Sequence, residues 1–149
     1  MSPTAPERGP ERSPADRPPA VPRNRIAYEY AWLRAVPSMH LQTFIPVGVV
    51  LFARTADFLS LRVHLDEATL VERWPFLDID LLARRLEACR LVCEGGHSGG
   101  PVGLLPPSER FHWLTTPRSA VLQPSRVRGG LTHDPAEALD RLFHGGVAR

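Results

Sequence analysis

The stretch FIPVGVVLFA, residues 44–53, constrains this chain more than any other. It is an almost uninterrupted apolar run, with a length about half of what a membrane-spanning helix requires. The segment VGVVLFAR (47–54) reads as a central strand covered on both faces, because a half-exposed strand would alternate with polar residues. Its neighbours follow from the same logic. In IAYEYAWLRAVP, alternation puts Ala27, Glu29, Ala31, Leu33 and Ala35 on one face. Tyr28, Tyr30, Trp32, Arg34 and Val36 fall on the other, and Pro37 is expected to stop the strand. SMHLQTF reads as a short connection. FLSLRVHL (58–65) returns after the short turn Thr55-Ala56-Asp57, so an antiparallel hairpin is expected.

Helical periodicity takes over after residue 65. Asp66 is a candidate cap for a short helix ending before Pro75. Asp78 is a candidate cap for DIDLLARRLEACRLVCE, whose apolar seam is Ile79, Leu82, Leu86, Cys89 and Cys93. Gly95 and Gly96 should end it. GGHSGGPVGLLPP reads as a loop, and SERFHWLTT as one to two helical turns with Ser108 as N-cap and Pro117 closing it. RSAVLQ should be a fourth strand, PSRVRGGLTH a loop, and DPAEALDRLFH a last helix with its seam at Ala138, Leu139 and Leu142. The order predicts an α+β fold: a mainly antiparallel sheet of about four strands with three to four helices. It occupies residues 26–149 as a single domain, after a Pro/Arg-rich tail (1–25) that is expected to be disordered.

The chain carries 18 basic residues, all Arg, against 16 acids, a net charge of +2. The tail, with five Arg and three acids, accounts for that whole excess, and the remaining 13 Arg balance 13 acids. A basic folded face is therefore not expected, nor is nucleic-acid binding except through the tail. The tail has no apolar core of the signal-peptide kind, so a cytoplasmic protein with reduced thiols and no membrane association is expected.

Several constellations suggest chemistry and then fail on spacing. Cys89, Cys93 and His97 lie four apart, but both Cys belong to the apolar seam and a fourth ligand is missing, so no metal is expected. GGHSGGP follows a helix and has no Lys, unlike a phosphate-binding loop. No Ser lies in a G-x-S-x-G turn, H-E-x-x-H is absent, and no cofactor motif is present. The densest polar-aromatic stretch is SERFHWLTTPRS (108–119). Arg110 and Arg118 could hold a carboxylate or phosphate, with Ser119 and Gln123 beside them and backbone amides at the Ser108 helix start. Ion pairing of Glu109, capping by Thr115 and core anchoring by Trp113 would explain the same residues structurally.

YEYAWLRAVP (28–37), F-I-P-VGVVLF (44–52) and SERFHWLTTPRSAVLQPS (108–125) together resemble a bacterial domain-of-unknown-function family, the one numbered 3037. The resemblance runs over roughly Ile26 to Phe143. It implies no established activity, and it implies a protein partner, since such proteins are often encoded beside kinase-like ones. The polar positions that match are Ser108, Glu109, Arg110, Thr115, Arg118, Ser119 and Gln123. Two positions depart from the family pattern: Pro46 stands where an Asn is usual and Thr43 where an acid is usual. If that Asn served a shared site, this chain lacks it.

The leading expectation is a non-enzymatic accessory or binding protein. It would act with a kinase-like partner and recognise a small anionic ligand or partner segment at Ser108, Glu109, Arg110, Trp113, Thr115, Arg118, Ser119 and Gln123. One alternative is a small enzyme for a phosphorylated or carboxylated metabolite, with Glu109 or His112 as acid or base; it requires Glu109 and Arg118 to converge. Another is nucleic-acid contact through the tail.

Overall fold

A computed structural model describes residues 24–38 and 40–147. The tail expected to be disordered lies, apart from Asn24 and Arg25, outside the described residues. Five antiparallel strands form one sheet: β1 (Ile26–Ser38), β2 (Thr43–Ala53), β3 (Phe58–Val63), β4 (Leu122–Pro124) and β5 (Arg128–Thr132). The order is β3-β2-β1-β4, with β5 also on β1. The helices are α1 (Glu67–Arg73), α2 (Ile79–Glu94), α3 (Gly100–Gly103), α4 (Pro107–Leu114) and α5 (Pro135–Gly146).

The apolar run behaves as its composition demands. Every residue from Val47 to Ala53 is buried. Val50 and Phe52 face a core completed by α1, α2 and α4, whereas Val49, Leu51 and Ala53 face a second core under α5. The alternation in β1 sorts in the same way, with Ala31, Leu33 and Ala35 in the first core and Tyr28, Tyr30 and Trp32 at the second. Pro46 sits where the β1–β2 register slips: Leu33 pairs Gly48 but Arg34 pairs Pro46. A bulge at this point accommodates a residue with no N–H to give, and lets Val47 reach the same core as Val50. For this reason β2 starts at Thr43 rather than after the proline, and β1 runs through Pro37 to Ser38 as its hairpin partner.

Both expected aspartate caps are present. Asp66 accepts from Thr69 N–H at 3.2 Å and Asp78 from Leu81 N–H at 3.0 Å. Leu82, Leu86, Cys89, Val92 and Cys93 bury the inner face of α2. Asp134 starts α5, which buries Ala138, Leu139 and Phe143. On the same face of the sheet, Arg62 of β3 bonds Asp140 at 2.7 Å and lies over the Phe143 ring. At its far end Gly146 touches the Trp32 ring so closely that a Cβ there would clash.

Four expectations besides the stop at Pro37 and the SMHLQTF connection need correction. RSAVLQ contributes only Leu122 and Gln123 to β4, because residues 117–120 form an irregular turn leaving α4. PSRVRGGLTH is not wholly a loop: Arg128–Thr132 is β5, and the sheet therefore has five strands rather than four. Its two glycines hid it, yet Gly130 is required, because a Cβ would fall 2.5 Å from the Tyr28 ring that lies across it. GGHSGGPVGLLPP contains a 3-10 turn and the single turn α3, which raises the helix count to five. Finally, α4 begins at Pro107 with Pro106 as its cap residue, so Ser108 lies inside the first turn. A proline at the first helical position loses no hydrogen bond, since that N–H has no partner in a helix.

Between β4 and β5 the chain bulges over residues 125–127 opposite Ala31 and Trp32. Ser125 bridges the gap: its N–H donates to Trp32 O at 2.7 Å and its Oγ accepts from Trp32 N–H at 2.8 Å. Ser125→Ala would leave that half-buried amide without an acceptor. It should lower the unfolding free energy by about 1 kcal/mol in urea titrations, whereas Ser125→Thr should retain most of it.

Candidate functional site

The stretch 108–119 does not converge on one point. α4 packs between α2 and β2, so its residues leave in different directions. Phe111 and Leu114 point into the first core, where Phe111 stacks on Phe52 with ring centroids 5.4 Å apart. Ser108, His112 and Thr115 share one side and line a groove with Glu29, Arg54 and Val127. Trp113 lies on another side and lines a cavity of about 140 Å³ together with Thr116, Arg118 and Ser119. Glu109 is exposed, lines neither, and forms no ion pair among the described residues.

Arg110 turns back to the end of α2. Its Nη1 donates to Cys93 O at 2.7 Å and Val92 O at 3.1 Å, and its Nε to Leu105 O at 3.0 Å. One guanidinium thus ties the unpaired carbonyls of the last turn of α2 to the segment that enters α4. Gly95 follows with φ +80°, and a Cβ there would lie 2.9 Å from Arg110 Nη1. Thr115 and Thr116 close α4 in a similar way: their hydroxyls donate to Phe111 O at 2.9 Å and His112 O at 2.7 Å. Ser119 Oγ accepts from Val121 N–H at 3.2 Å, and the Gln123 carbonyl takes a 3.5 Å bond from Arg34 Nε.

Arg118 is placed differently. Its guanidinium lies 4.7 Å from the Trp113 ring centroid, and only its Nε reaches a backbone carbonyl, Trp113 O, at 3.4 Å. Arg85 of α2 lines the same cavity, whose walls come from Leu33, Ala88, Leu114, Leu122 and Pro124. Neither Arg85 nor Arg118 forms an ion pair among the described residues. Sequence reasoning missed Arg85 and Ala88: in ARRLEACR they lie off the apolar seam, and only the position of α4 makes them a wall.

Cys89 also lines this cavity, and both Cys89 and Cys93 lie in the core. Burial pushes their thiols up, to about 11 and about 12 from the usual 9.0. No cluster of three His, Cys, Asp or Glu suited to a metal occurs among the described residues. With Arg118 on one cavity, His112 on another groove and Glu109 on neither, the acid–base groups that the enzymatic alternative needs stand apart from the anion-binding one.

The family model described as a protein of unknown function, DUF3037, matches residues 30–147. The chain belongs to this family. The match takes in every strand in part or whole and all five helices, so the clamped α2–α4 unit lies within it. No curated protein and no solved structure matches the chain. No helix among the described residues is long and apolar enough to cross a membrane.

Two outcomes test this geometry. Arg110→Ala should lower stability by about 2 kcal/mol, as expected when a charged donor to three partly buried or exposed carbonyls is lost. Arg110→Lys should recover little of it, because a single ammonium cannot span both sets of carbonyls. The two thiols should resist iodoacetamide in the folded protein and react on unfolding. Because their folded pKa values are raised, their contribution to stability is complete below the usual 9.0 and is lost as pH rises through about 11 and 12. Denaturation midpoints measured across that range should fall, and Cys89→Ala should flatten the fall.

Proposed function

We propose that this protein is a binding module that acts with a protein partner, and that its recognition site is the cavity between α2 and α4. The observation that carries this reading is a pair of guanidiniums, Arg85 and Arg118, that form no ion pair among the described residues and stand at a cavity whose walls are mainly apolar. A planar fork of N–H donors suits a carboxylate or phosphate, and an apolar wall strengthens the attraction by excluding water. Arg118 is held ready by its stacking on Trp113, so little side-chain freedom remains to be lost on binding. Of the two arginines first singled out, Arg118 keeps the anion-recognising role, while the donors of Arg110 are used on carbonyls. The family resemblance makes a kinase-like protein the partner to try first.

Thermal unfolding with 4-methylpentanoate, which combines a carboxylate with one branched apolar group, tests the site directly. A ligand present at 100 times its dissociation constant adds about 2.7 kcal/mol to stability. Wild type should show the upward shift. Arg118→Ala, an exposed side chain, should keep its basal stability and lose the shift. Equal shifts in both proteins would place the anion elsewhere and end this assignment.

A further inference from the structure

The cavity at Arg118 does not end at Trp113. A second hollow of about 290 Å³ lies on the other side of Ala88 and Trp113, and both residues line both hollows. The α2 residues of the first are Arg85, Ala88 and Cys89, and those of the second are Ala88, Leu91 and Val92. The second set is the first moved on by three residues, which is a displacement of about 4.5 Å along the helix. Val102 of α3 closes the far wall. The result is a groove along α2 with two mainly apolar hollows, a saddle between them where Ala88 meets Trp113, and at one end two arginines that form no ion pair among the described residues.

Resting on the proposed anion site, we infer that this groove takes an amphipathic helix of a partner protein. The helix presents two apolar side chains at i and i+3 and an acidic residue at one end. The repeat along α2 matches the rise between such positions on a helix lying alongside. Alternate residues of an extended strand are about 6.7 Å apart and fit it less well. Ala88 at the saddle has the smallest side chain that still favours a helix, so the partner backbone can approach closely. The charge decides where the acid goes: Arg85 and Arg118 flank the first hollow, whereas nearby Arg90 is already neutralised by Glu87 and Glu94 at 2.5 and 2.6 Å. The chain's own first 25 residues are a poor occupant, with five Arg against three acids and seven Pro.

The probe is a pair of fluorescein-labelled Ala-rich helical peptides of about 15 residues, with Leu at i and i+3 and Glu in the turn before or after them. Fluorescence anisotropy with the full chain should show binding of one of the two. Glu→Gln in that peptide should weaken it about tenfold, and Arg85→Glu with Arg118→Glu should be rescued by Glu→Arg in the peptide. Ala88→Leu, which raises the saddle, should abolish peptide binding. Val102→Asp should do so too by closing the second hollow, and because Val102 lies outside the first cavity the 4-methylpentanoate shift should remain, with circular dichroism checking that both variants fold. Peptide affinity unchanged in folded Ala88→Leu and Val102→Asp would overturn the groove. So would failure of both peptides to bind while 4-methylpentanoate still shifts wild type, and the anion site would then stand alone. Failure of the peptides and the small acid together would overturn both.

Discussion

Seven consecutive buried residues, Val47 to Ala53, impose a condition that the rest of the chain has to meet. An apolar strand without a polar side needs packing above and below, as well as hydrogen-bonded neighbours at both edges. β1 and β3 fill the edges; α1, α2 and α4 cover one face and α5 the other. Placing α5 on the far side requires the chain to cross the sheet after α4. The long β1 makes this crossing possible, because β4 and β5 share its second edge in sequence. The layered architecture is thus a consequence of how one strand hides its surface.

Much of this was legible in the residues because the signals were periodic. The two faces of β1, the run in β2, the seam of α2 and the caps Asp66 and Asp78 all express local rules that the tertiary structure leaves intact. The misreadings occur where a local rule was overruled by a distant contact. RGGLT resembles a turn until Tyr28 is found lying across Gly130. Pro46 resembles a strand boundary until a bulge admits it into β2. The cavity was less legible. Trp113 and Arg118 had been singled out, but Arg85 and Ala88 became a wall only through helix packing, which no spacing within one segment reveals.

The arginines show how residue type can mislead about role. In a chain with no Lys, every cation has a planar, five-donor head. Arg34 uses it on the carbonyls of Gln123 and Pro124, Arg84 on that of Asp80, and Arg110 on three carbonyls around the end of α2. Arg34 and Arg110 thus fasten one backbone segment to another, while Arg84 turns back on its own helix. Arg85 and Arg118 differ in the apolar cavity beside them. Partner and surroundings, rather than the side chain itself, set what each arginine does.

The broken second edge of β1 has a consequence for how the molecule behaves in crowded solution. Had residues 122–132 formed one straight strand, the sheet would have offered a row of unpaired backbone groups on which another chain could nucleate. Instead the border is divided into pieces of three and five residues, with Pro124 ending the first and the bulge at 125–127 interrupting the row. A foreign strand meets no register that it can follow from end to end. The Ser125 bonds that preserve pairing inside the molecule therefore also help to keep this border closed to self-association.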